Sequence, residues 1–396
     1  ANFTAVAGEG YFVNTTGGAI TLTLPSSPSV GAQVSIVDYA GTFNTNNLTL
    51  NRNSSNIQGA AVNATLSTNL RATSFVYADA TKGWIPVNDN TTNNYGEVYT
   101  EATGGTVTTS GNFKIHTFNS SSNFVVSQAG NAAGGTAVTS YLVVAGGGGG
   151  ANIGGGGAGG FREGRAANDS YTVSPLNAPA GITVSAQTYP ITVGAGGTVG
   201  PQYNNKSKGS NSVFATITSA GGGAGQGNHN PGPQPQTDGP GGSGGGGNSG
   251  DYTIAAGSGN TPPVSPAQGT NGGTASNGNG SKWIGAGGGG ATVAGATADN
   301  NSTPGGTEAT THITGSPVAY AGGGGGGSYQ NNNGNASPGG TGGRGGGTSP
   351  NRGATAGSAN KGGGGGGQGL TPSGNGQPDG AGTGGSGVVI LRYKYQ

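Results

Sequence analysis

The chain has 396 residues, enough for two or three domains, yet glycine supplies 93 of them and charged residues only 7%. This composition argues against an α-helical protein, because glycine costs about 1 kcal/mol relative to alanine in a helix interior. The net charge of +1 argues against nucleic-acid and anionic-membrane partners. Cysteine and methionine are both absent, which excludes disulfides and thiolate metal sites. It also removes the two most easily oxidised side chains, which fits an oxygen-exposed location outside cells.

Residues 1–89 are predicted to form a small antiparallel β barrel or sandwich, because short apolar alternations follow one another with turn residues between them. Trp84 lies in the last of these alternations and is expected to anchor the core. Asp38 and Asp79 are interpreted as turn residues and not as general acids. The candidate strands are Gly10–Val13, Ala19–Leu24, Gln33–Val37, Leu48–Leu50, Ser74–Tyr77 and Gly83–Val87.

A polar run without periodicity then predicts a linker over residues 90–96. A second short β segment is predicted over 97–145, leading into a glycine-rich domain over 146–396. The apolar stretch at 387–393 resembles the one at Tyr141–Val144, so the two are expected to pair and bracket the glycine-rich region. The strands predicted within the second segment are Thr106–Thr109, Phe113–Phe118, Phe124–Val126 and Tyr141–Val144.

Glycine runs recur through the last 250 or so residues without a fixed period, and the strict Gly-X-Y repeat of collagen is missing. Composition alone would also fit a disordered linker, and a flat cross-β stack is a second alternative. The glycines are clustered, however, and are not mixed evenly with serine as in flexible linkers. The runs are 146–150, 154–157, 221–223, 244–247, 287–290, 322–327 and 362–367.

These runs favour a polyglycine-II-like sandwich. Extended left-handed backbone has three residues per turn and no internal hydrogen bonds, so its NH and C=O groups point outward and need partners. Neighbouring segments can supply those partners only where no Cβ holds the backbones apart. We therefore expect the glycine runs to lie inside the array, and stretches such as Asn228–Pro233 to form loops at its ends.

The sequence shows no catalytic or metal-binding pattern. His116, His229 and His312 are scattered and lack metal-ligand spacing, and each is interpreted as an ordinary polar residue. The 13 carboxylates form no close pair. Loose Gly-x-Gly-x-x-Gly matches are unavoidable in this composition and carry no weight. We therefore expect no enzymatic activity, no metal and no cofactor.

The residues most suited to contact a ligand are aromatic side chains on the expected glycine-rich loops, because aromatic faces stack on sugars or apolar patches at small entropic cost. A purely structural role, sealing the array or packing on a neighbouring subunit, is the alternative. The candidates are Tyr203, Tyr252, Trp283 and Tyr329.

Three stretches in the first quarter are Ala5–Val13, Asp38–Phe43 and Thr81–Trp84, and they resemble modules of marine bacteriophage tail-fibre proteins. Three stretches further on are Phe113–Phe118, Tyr141–Ala145 before Gly146, and Val388–Tyr393. These are similar to the glycine-rich, polyglycine-II-type domain of phage fibres and adhesins. The resemblance implies a trimeric or otherwise oligomeric extracellular fibre. It also implies a glycine sandwich whose distal loops contact a bacterial surface glycan or outer-membrane protein.

Two functional hypotheses remain open at this point. The first is a structural and adhesive fibre component of a virion that binds a receptor, without membrane insertion. The second is a self-assembling extracellular filament subunit, such as a biofilm fibre, that polymerises through its β domains. An edge strand near residues 1–13 that completes the sheet of the next copy would favour the filament.

Overall fold

The computed structural model describes residues 1–87, 98–131, 134–199, 207–227, 238–249, 253–275, 282–298, 303–330, 354–368 and 380–396. The described residues form β-strands and extended segments and no helix, so the predicted all-β class is confirmed. The linker predicted at 90–96 lies outside the described residues. The chain divides into two compact units, the first comprising 1–100 and 129–137 and the second 101–128 and 138–396.

The first unit contains two four-stranded sheets, ordered β1-β3-β5-β6 and β2-β4-β7-β8. All six strands predicted for this region are present, while β1 and β6 were not predicted. The strands are β1 (Phe3–Thr4), β2 (Gly10–Val13), β3 (Ile20–Thr23), β4 (Gln33–Asp38), β5 (Leu48–Asn51), β6 (Ala64–Leu66), β7 (Ala72–Tyr77) and β8 (Trp84–Val87).

The expectation of purely antiparallel pairing in this unit was wrong. The pairs β1–β3, β3–β5 and β2–β4 are parallel, while the later pairs are antiparallel. The cause is the chain path: the first five strands alternate between the two sheets, so strands two apart in sequence become neighbours and run the same way. Alternating apolar residues give the period of a strand but do not specify which strand is its neighbour.

The two sheets of the first unit share one apolar core. Trp84 is completely buried in it, as predicted, and its ring meets that of Tyr77 edge-on with centroids 5.6 Å apart. The core includes Leu22, Val34, Leu48 and Phe75 from both sheets. Burial alternates along β4 and β5, so one face of each sheet supplies the core.

The Asp38–Phe43 stretch forms a turn organised by a carboxylate. Asp38 is buried, and its oxygens accept hydrogen bonds from the backbone NH groups of Gly41, Thr42, Phe43 and Leu70 at 3.0–3.2 Å. Asp79 likewise accepts from the NH of Thr81 at 2.8 Å. The interpretation of both aspartates as turn residues is confirmed.

The second unit contains a seven-stranded and a five-stranded sheet, and strand pairs at the ends of glycine-rich segments. Its strands are β9 (Glu101–Thr103), β10 (Thr106–Ser110), β11 (Phe113–Phe118), β12 (Ser122–Gln128), β13 (Val138–Val144), β14 (Phe161–Gly164), β15 (Asn177–Ala178), β16 (Ile182–Thr183), β17 (Thr188–Thr192), β18 (Ser212–Phe214), β19 (Ile217–Ser219), β20 (Asn248–Ser249), β21 (Thr253–Ile254), β22 (Lys282–Ile284), β23 (Ala309–Thr311), β24 (Val318–Tyr320), β25 (Ser328–Gln330) and β26 (Val388–Lys394).

The predicted pairing of the two bracketing strands is confirmed. β13 and β26 are antiparallel neighbours, with Tyr141 opposite Leu391 and Val144 opposite Val388. Residues on both faces of these strands are buried, which explains why their sequences are continuously apolar instead of alternating. β26 lies between β11 and β13, so the last strand of the sequence is an inner strand of the seven-stranded sheet.

One face of this sheet carries an aromatic cluster that reaches the five-stranded sheet. His116, Phe124 and Tyr393 lie at its centre; the His116 ring stacks on Tyr393 and meets Phe124 edge-on, with centroids 5.5 and 5.2 Å apart. Phe124 also contacts Phe214 of β18. The opposite face packs on a second cluster that includes Leu142, Ile390, Ile313 and Tyr320.

The glycine runs form the interior of an array, as predicted. Every residue of the seven runs is buried, and their backbone groups bond between segments with a period of three residues. Successive NH groups of segment 145–151 donate hydrogen bonds to three neighbouring segments in turn, and the order repeats every three residues. This is expected for a backbone with three residues per turn and not for a flat strand. The donor–acceptor pairs are Ala145–Gly160, Gly148–Gly157 and Ala151–Gly154, then Gly146–Ser210 and Gly149–Ser207, then Gly147–Gly385 and Gly150–Gly382, at 2.9–3.1 Å.

Segments 145–151 and 153–160 each have six neighbouring segments. The first also accepts hydrogen bonds from 193–198, 220–226 and 362–368, so all directions around it are occupied by backbone. The bonding pattern arranges most segments in three layers, while 238–240 and 256–259 lie against the outside of one outer layer and 354–358 against the outside of the other. The middle layer holds 193–198, 145–151, 153–160, 285–291 and 293–298; one outer layer holds 207–211, 220–226, 241–247 and 269–274, and the other holds 303–307, 321–327, 362–368 and 381–387.

The edge of the array is where side chains appear. Exposed positions of the edge segments carry a Cβ and recur three residues apart, whereas the positions between them face the array. Additional backbone cannot approach closely where side chains project, so these residues end the array laterally. Examples are Ala195 and Thr198, Asn271 and Thr274, Ala294 and Thr297, and Pro304 and Thr307.

Candidate functional site

One end of the array is joined to the seven-stranded sheet. Segment 145–151 continues directly from β13, 153–160 runs into β14, and 381–387 runs into β26. The Gln268 side chain closes this end, because its Oε1 accepts from the NH of Ala220 and its Nε2 donates to the carbonyl of Pro262, both at 2.8 Å. The glycine segments are therefore held by a conventional β scaffold at this end.

The opposite end, which we call the loop-bearing end, is defined by Ala151, Gln226, Gly247, Gly285 and Gly327. Backbone hydrogen bonds of 2.6–3.2 Å connect these residues and their neighbours across the layers. Seven stretches of the second unit lie outside the described residues. The described residues on either side of each stretch lie at this end or within about one turn of it. Those stretches are 200–206, 228–237, 250–252, 276–281, 299–302, 331–353 and 369–379.

Two of the four predicted ligand-binding residues are brought together at this end. Trp283 of β22 is half-buried and lies opposite Tyr329 of β25 in an antiparallel register. Both residues lie on paired strands, not in loops as expected from the sequence. Tyr203 and Tyr252 lie outside the described residues, as do His229 and the predicted loop at Asn228–Pro233, although the flanking Ser207, Ser249 and Thr253 belong to this end.

The strand that carries Trp283 is fixed from one side by a serine. Ser249 is buried; its Oγ accepts from the NH of Ile284 at 3.2 Å and donates to the Ile284 carbonyl at 3.0 Å. Asn248 pairs with Gly285 in an antiparallel bridge next to this contact. Sequence analysis missed Asn248 and Ser249, since isolated polar residues after a glycine run carry no distinguishing pattern.

A buried polar cluster lies at the other end, beside the seven-stranded sheet. Arg392 forms an ion pair with Asp169, Ser140 Oγ donates to Asp169, and Thr311 Oγ1 donates to Glu163. Burial, together with the nearby carboxylates of Glu163 and Asp169, raises the pKa of Tyr171. The structure thus brings together two carboxylates that the sequence analysis did not pair, but both are sealed from solvent and bonded to neighbouring groups.

His116 also lies in the interior. Its Nδ1–H donates to the Gly104 carbonyl at 2.7 Å, and its Nε2 accepts from the Tyr393 hydroxyl at 3.0 Å. Burial lowers the pKa of His116, and burial raises the pKa of Tyr393 to about 12. Both rings are neutral near pH 7 and connect β11 to β26. The arrangement fits the interpretation of His116 as a structural polar residue.

The described ranges lack two further kinds of feature. No three histidine or carboxylate side chains within them converge in a way that could hold a metal ion. The same residues contain no helix of the length and apolarity needed to cross a bilayer.

The geometry defines a protein with a polyglycine-II-type three-layer sandwich held at one end by β-sheets. The sequence profile of the glycine-rich domain family matches residues 132–394, about two thirds of the chain. The chain therefore belongs to this glycine-rich family. No match was found among curated proteins.

Proposed function

We propose that the protein is a structural and adhesive component of an extracellular fibre, such as a phage tail fibre, that attaches to a receptor through the loop-bearing end. One observation carries this proposal: the described residues on either side of the seven stretches named above all lie at the same end of the array. Stretches anchored on a rigid body can differ in sequence without disturbing its packing, and binding residues concentrate at such positions.

The array supplies the rigidity that attachment requires. Segments 145–151 and 153–160 are each surrounded by six others, and every glycine in their runs is buried. A side chain cannot be added there without displacing backbone, so sequence change is directed to the edges and the loop-bearing end. The aromatic residue described there, Trp283, offers a surface on which a sugar ring or an apolar patch of a surface protein can stack.

A binding assay with the purified full-length chain tests the proposal. Fluorescently labelled protein is incubated with a panel of bacterial cells, and retention after washing is compared for the parent, Trp283→Ala and Tyr39→Ala. Tyr39 is the matched control, since it is an aromatic residue of the first unit with 68% of its surface exposed. We expect Trp283→Ala to reduce retention at least tenfold, the effect of losing a central aromatic anchor of about 1.4 kcal/mol or more.

Equal retention of the parent and of Trp283→Ala would show that binding does not occur at the loop-bearing end. A loss of retention confined to Tyr39→Ala would show the same. Circular dichroism of the three proteins before the assay separates lost binding from lost folding. Soluble surface polysaccharide and purified outer-membrane protein, added separately as competitors, distinguish the two receptor classes.

A self-assembling filament subunit is the second candidate, and one observation favours it. β1 and β2 are edge strands of their sheets, and Phe12 on β2 has 76% of its surface exposed. An edge strand with an exposed aromatic residue can pair with another copy. Negative-stain images of the purified protein separate the candidates: indefinite head-to-tail filaments favour this one, and isolated closed oligomers favour the fibre tip.

A further inference from the structure

Two carboxamides near the loop-bearing end have unpaired atoms. Asn248 is completely buried, and neither its Nδ2 nor its Oδ1 has a hydrogen-bond partner among the described residues. The Nδ2 of Asn152 is likewise buried without a partner within that part of the chain. Buried polar atoms in native proteins are paired in the large majority of cases, so three such atoms in two residues require a cause.

Backbone geometry brings the two residues to one place. Asn248 lies opposite Gly285 in an antiparallel bridge, and residues opposite each other present their Cβ positions to the same side of the pair. A Cβ placed on Gly285 would lie 1.8 Å from the carbonyl oxygen of Ile153. That side therefore faces the turn between segments 145–151 and 153–160, which contains Asn152.

The surroundings restrict what could pair with these atoms. Ile153 and Ile284 are buried beside the two carboxamides, and Ala151 precedes Asn152 in the turn. These residues are uncharged, so an ion would be without a compensating charge. Asn248 has no exposed surface that a receptor could reach. The partner must therefore be small, neutral and able both to donate and to accept.

We propose that this position is a specific internal hydration site, in which ordered water accepts from the Nδ2 groups of Asn152 and Asn248 and donates to Asn248 Oδ1. One water molecule offers two donors and two acceptors, and buried waters commonly make about three hydrogen bonds to otherwise unpaired groups. The water fastens the turn at 151–154 to β20, which pairs through Asn248 with Gly285, directly after β22, the strand that carries Trp283.

A high-resolution crystal structure of the full chain and a pair of variants test the proposal. Asn248→Leu keeps the branching of the side chain but cannot hydrogen-bond to water. If water is bound, this variant lowers the denaturant midpoint of the second unit and speeds hydrogen exchange at residues 282–284. Gln268→Leu is the control, because Gln268 is a buried amide whose partners, Ala220 and Pro262, are known. Its midpoint must fall as well.

The proposal predicts electron density for water within hydrogen-bond distance of both asparagine side chains, and a midpoint shift of the same sign in both variants. A rise in the midpoint for Asn248→Leu would overturn it, since removing a truly unpaired buried amide stabilises a protein. Density empty of water, or density that refines only as an ion, would overturn it as well. The result does not depend on receptor binding by the loop-bearing end.

Discussion

The Nε of Arg392 donates to both carboxylate oxygens of Asp169, at 2.9 and 3.1 Å, although the residues are 223 positions apart in the sequence. Their side chains are 6% and 1% exposed. The guanidinium also lies over the rings of Phe113 and Tyr171, with centroid distances of 4.6 and 5.4 Å. This contact ties the last strand of the chain to the stretch that follows β14.

Removing one partner of this pair is expected to be costly. Arg392→Met leaves the Asp169 carboxylate buried without its cation, and such changes destabilise by about 3–5 kcal/mol. Arg162→Met on β14, a half-buried position, is the control and should cost less than about 1 kcal/mol. Urea unfolding of the second unit measures both. A double variant, Arg392→Met with Asp169→Asn, should be more stable than the sum of the single losses predicts.

The interior of the array is expected to reject even a methyl group. A Cβ on Gly148 would lie 2.1 Å from the carbonyl oxygen of Gly223, and that backbone is itself held by neighbouring segments. Gly148→Ala should destabilise the second unit by about 3 kcal/mol or more, the upper range for overpacking. Gly17→Ala, where the added atom meets nothing within 4 Å, should change stability by less than about 0.5 kcal/mol. Similar thermal midpoints for the two variants would contradict a backbone-packed interior.

Much of the fold was predictable because it depends on local patterns. Apolar alternation located the strands of the first unit, and the continuous apolar runs at Tyr141–Val144 and 387–393 identified two inner strands that pair. The absence of side chains in the glycine runs was enough to predict a close-packed backbone array, since no other residue type permits that approach.

The rest depends on contacts between distant residues. The parallel pairing of β2 with β4 follows from the route of the chain between sheets, which alternation does not encode. Strands such as β18 and β19 are only three residues long and lack a detectable period. At the loop-bearing end, Trp283 and the Tyr329 opposite it are 46 positions apart in the sequence, and Asn248 acquires significance only through its environment.

The turn at Asp38–Phe43 should depend on the charge of one side chain. Four backbone NH groups point at the buried Asp38 carboxylate. Asp38→Asn keeps the shape but replaces an acceptor oxygen by a donor that faces those NH groups, so we expect a loss of about 2–3 kcal/mol in the first unit. Asp79→Asn, at an exposed turn, is the control and should cost less than about 1 kcal/mol. Near-UV circular dichroism in a Trp283→Phe background, where Trp84 is the one remaining tryptophan, reports the first unit during denaturation. Equal midpoints for the two variants would argue against the carboxylate as the organising group.

The buried histidine should make the second unit less stable in mild acid. Burial lowers the pKa of His116 below its ordinary value of 6.5, so the folded imidazole stays neutral where the unfolded one binds a proton. Because the unfolded state then binds more protons, stability is full above about pH 6.5 and falls as pH drops, by at most about 1.4 kcal/mol per pH unit.

Substitution of His116 by Gln removes the titrating group, so the slope of stability against pH between 7 and 5 should decrease. The parent protein, titrated under the same conditions, is the reference for this slope. Denaturant titrations at several pH values measure the slopes, which do not depend on the absolute stability of each variant. A slope unaltered in His116→Gln would assign the pH dependence to other groups.

The position of β26 leads to a prediction about the end of the chain. This strand pairs with β11 on one side and β13 on the other, and Val389, Ile390 and Leu391 within it are buried. Deleting residues 388–396 leaves two inner strands without their shared partner and opens both apolar clusters to water. At about 1.5–3 kcal/mol per buried aliphatic side chain, the loss exceeds the stability of most domains. The second unit should therefore not fold, while the first retains its own core.

Limited proteolysis followed by mass spectrometry should find residues 1–87 protected and 138–387 digested. Deleting Gln396 alone should leave both protected, and protection of 138–387 in the longer deletion would show that the array stands without its closing strand.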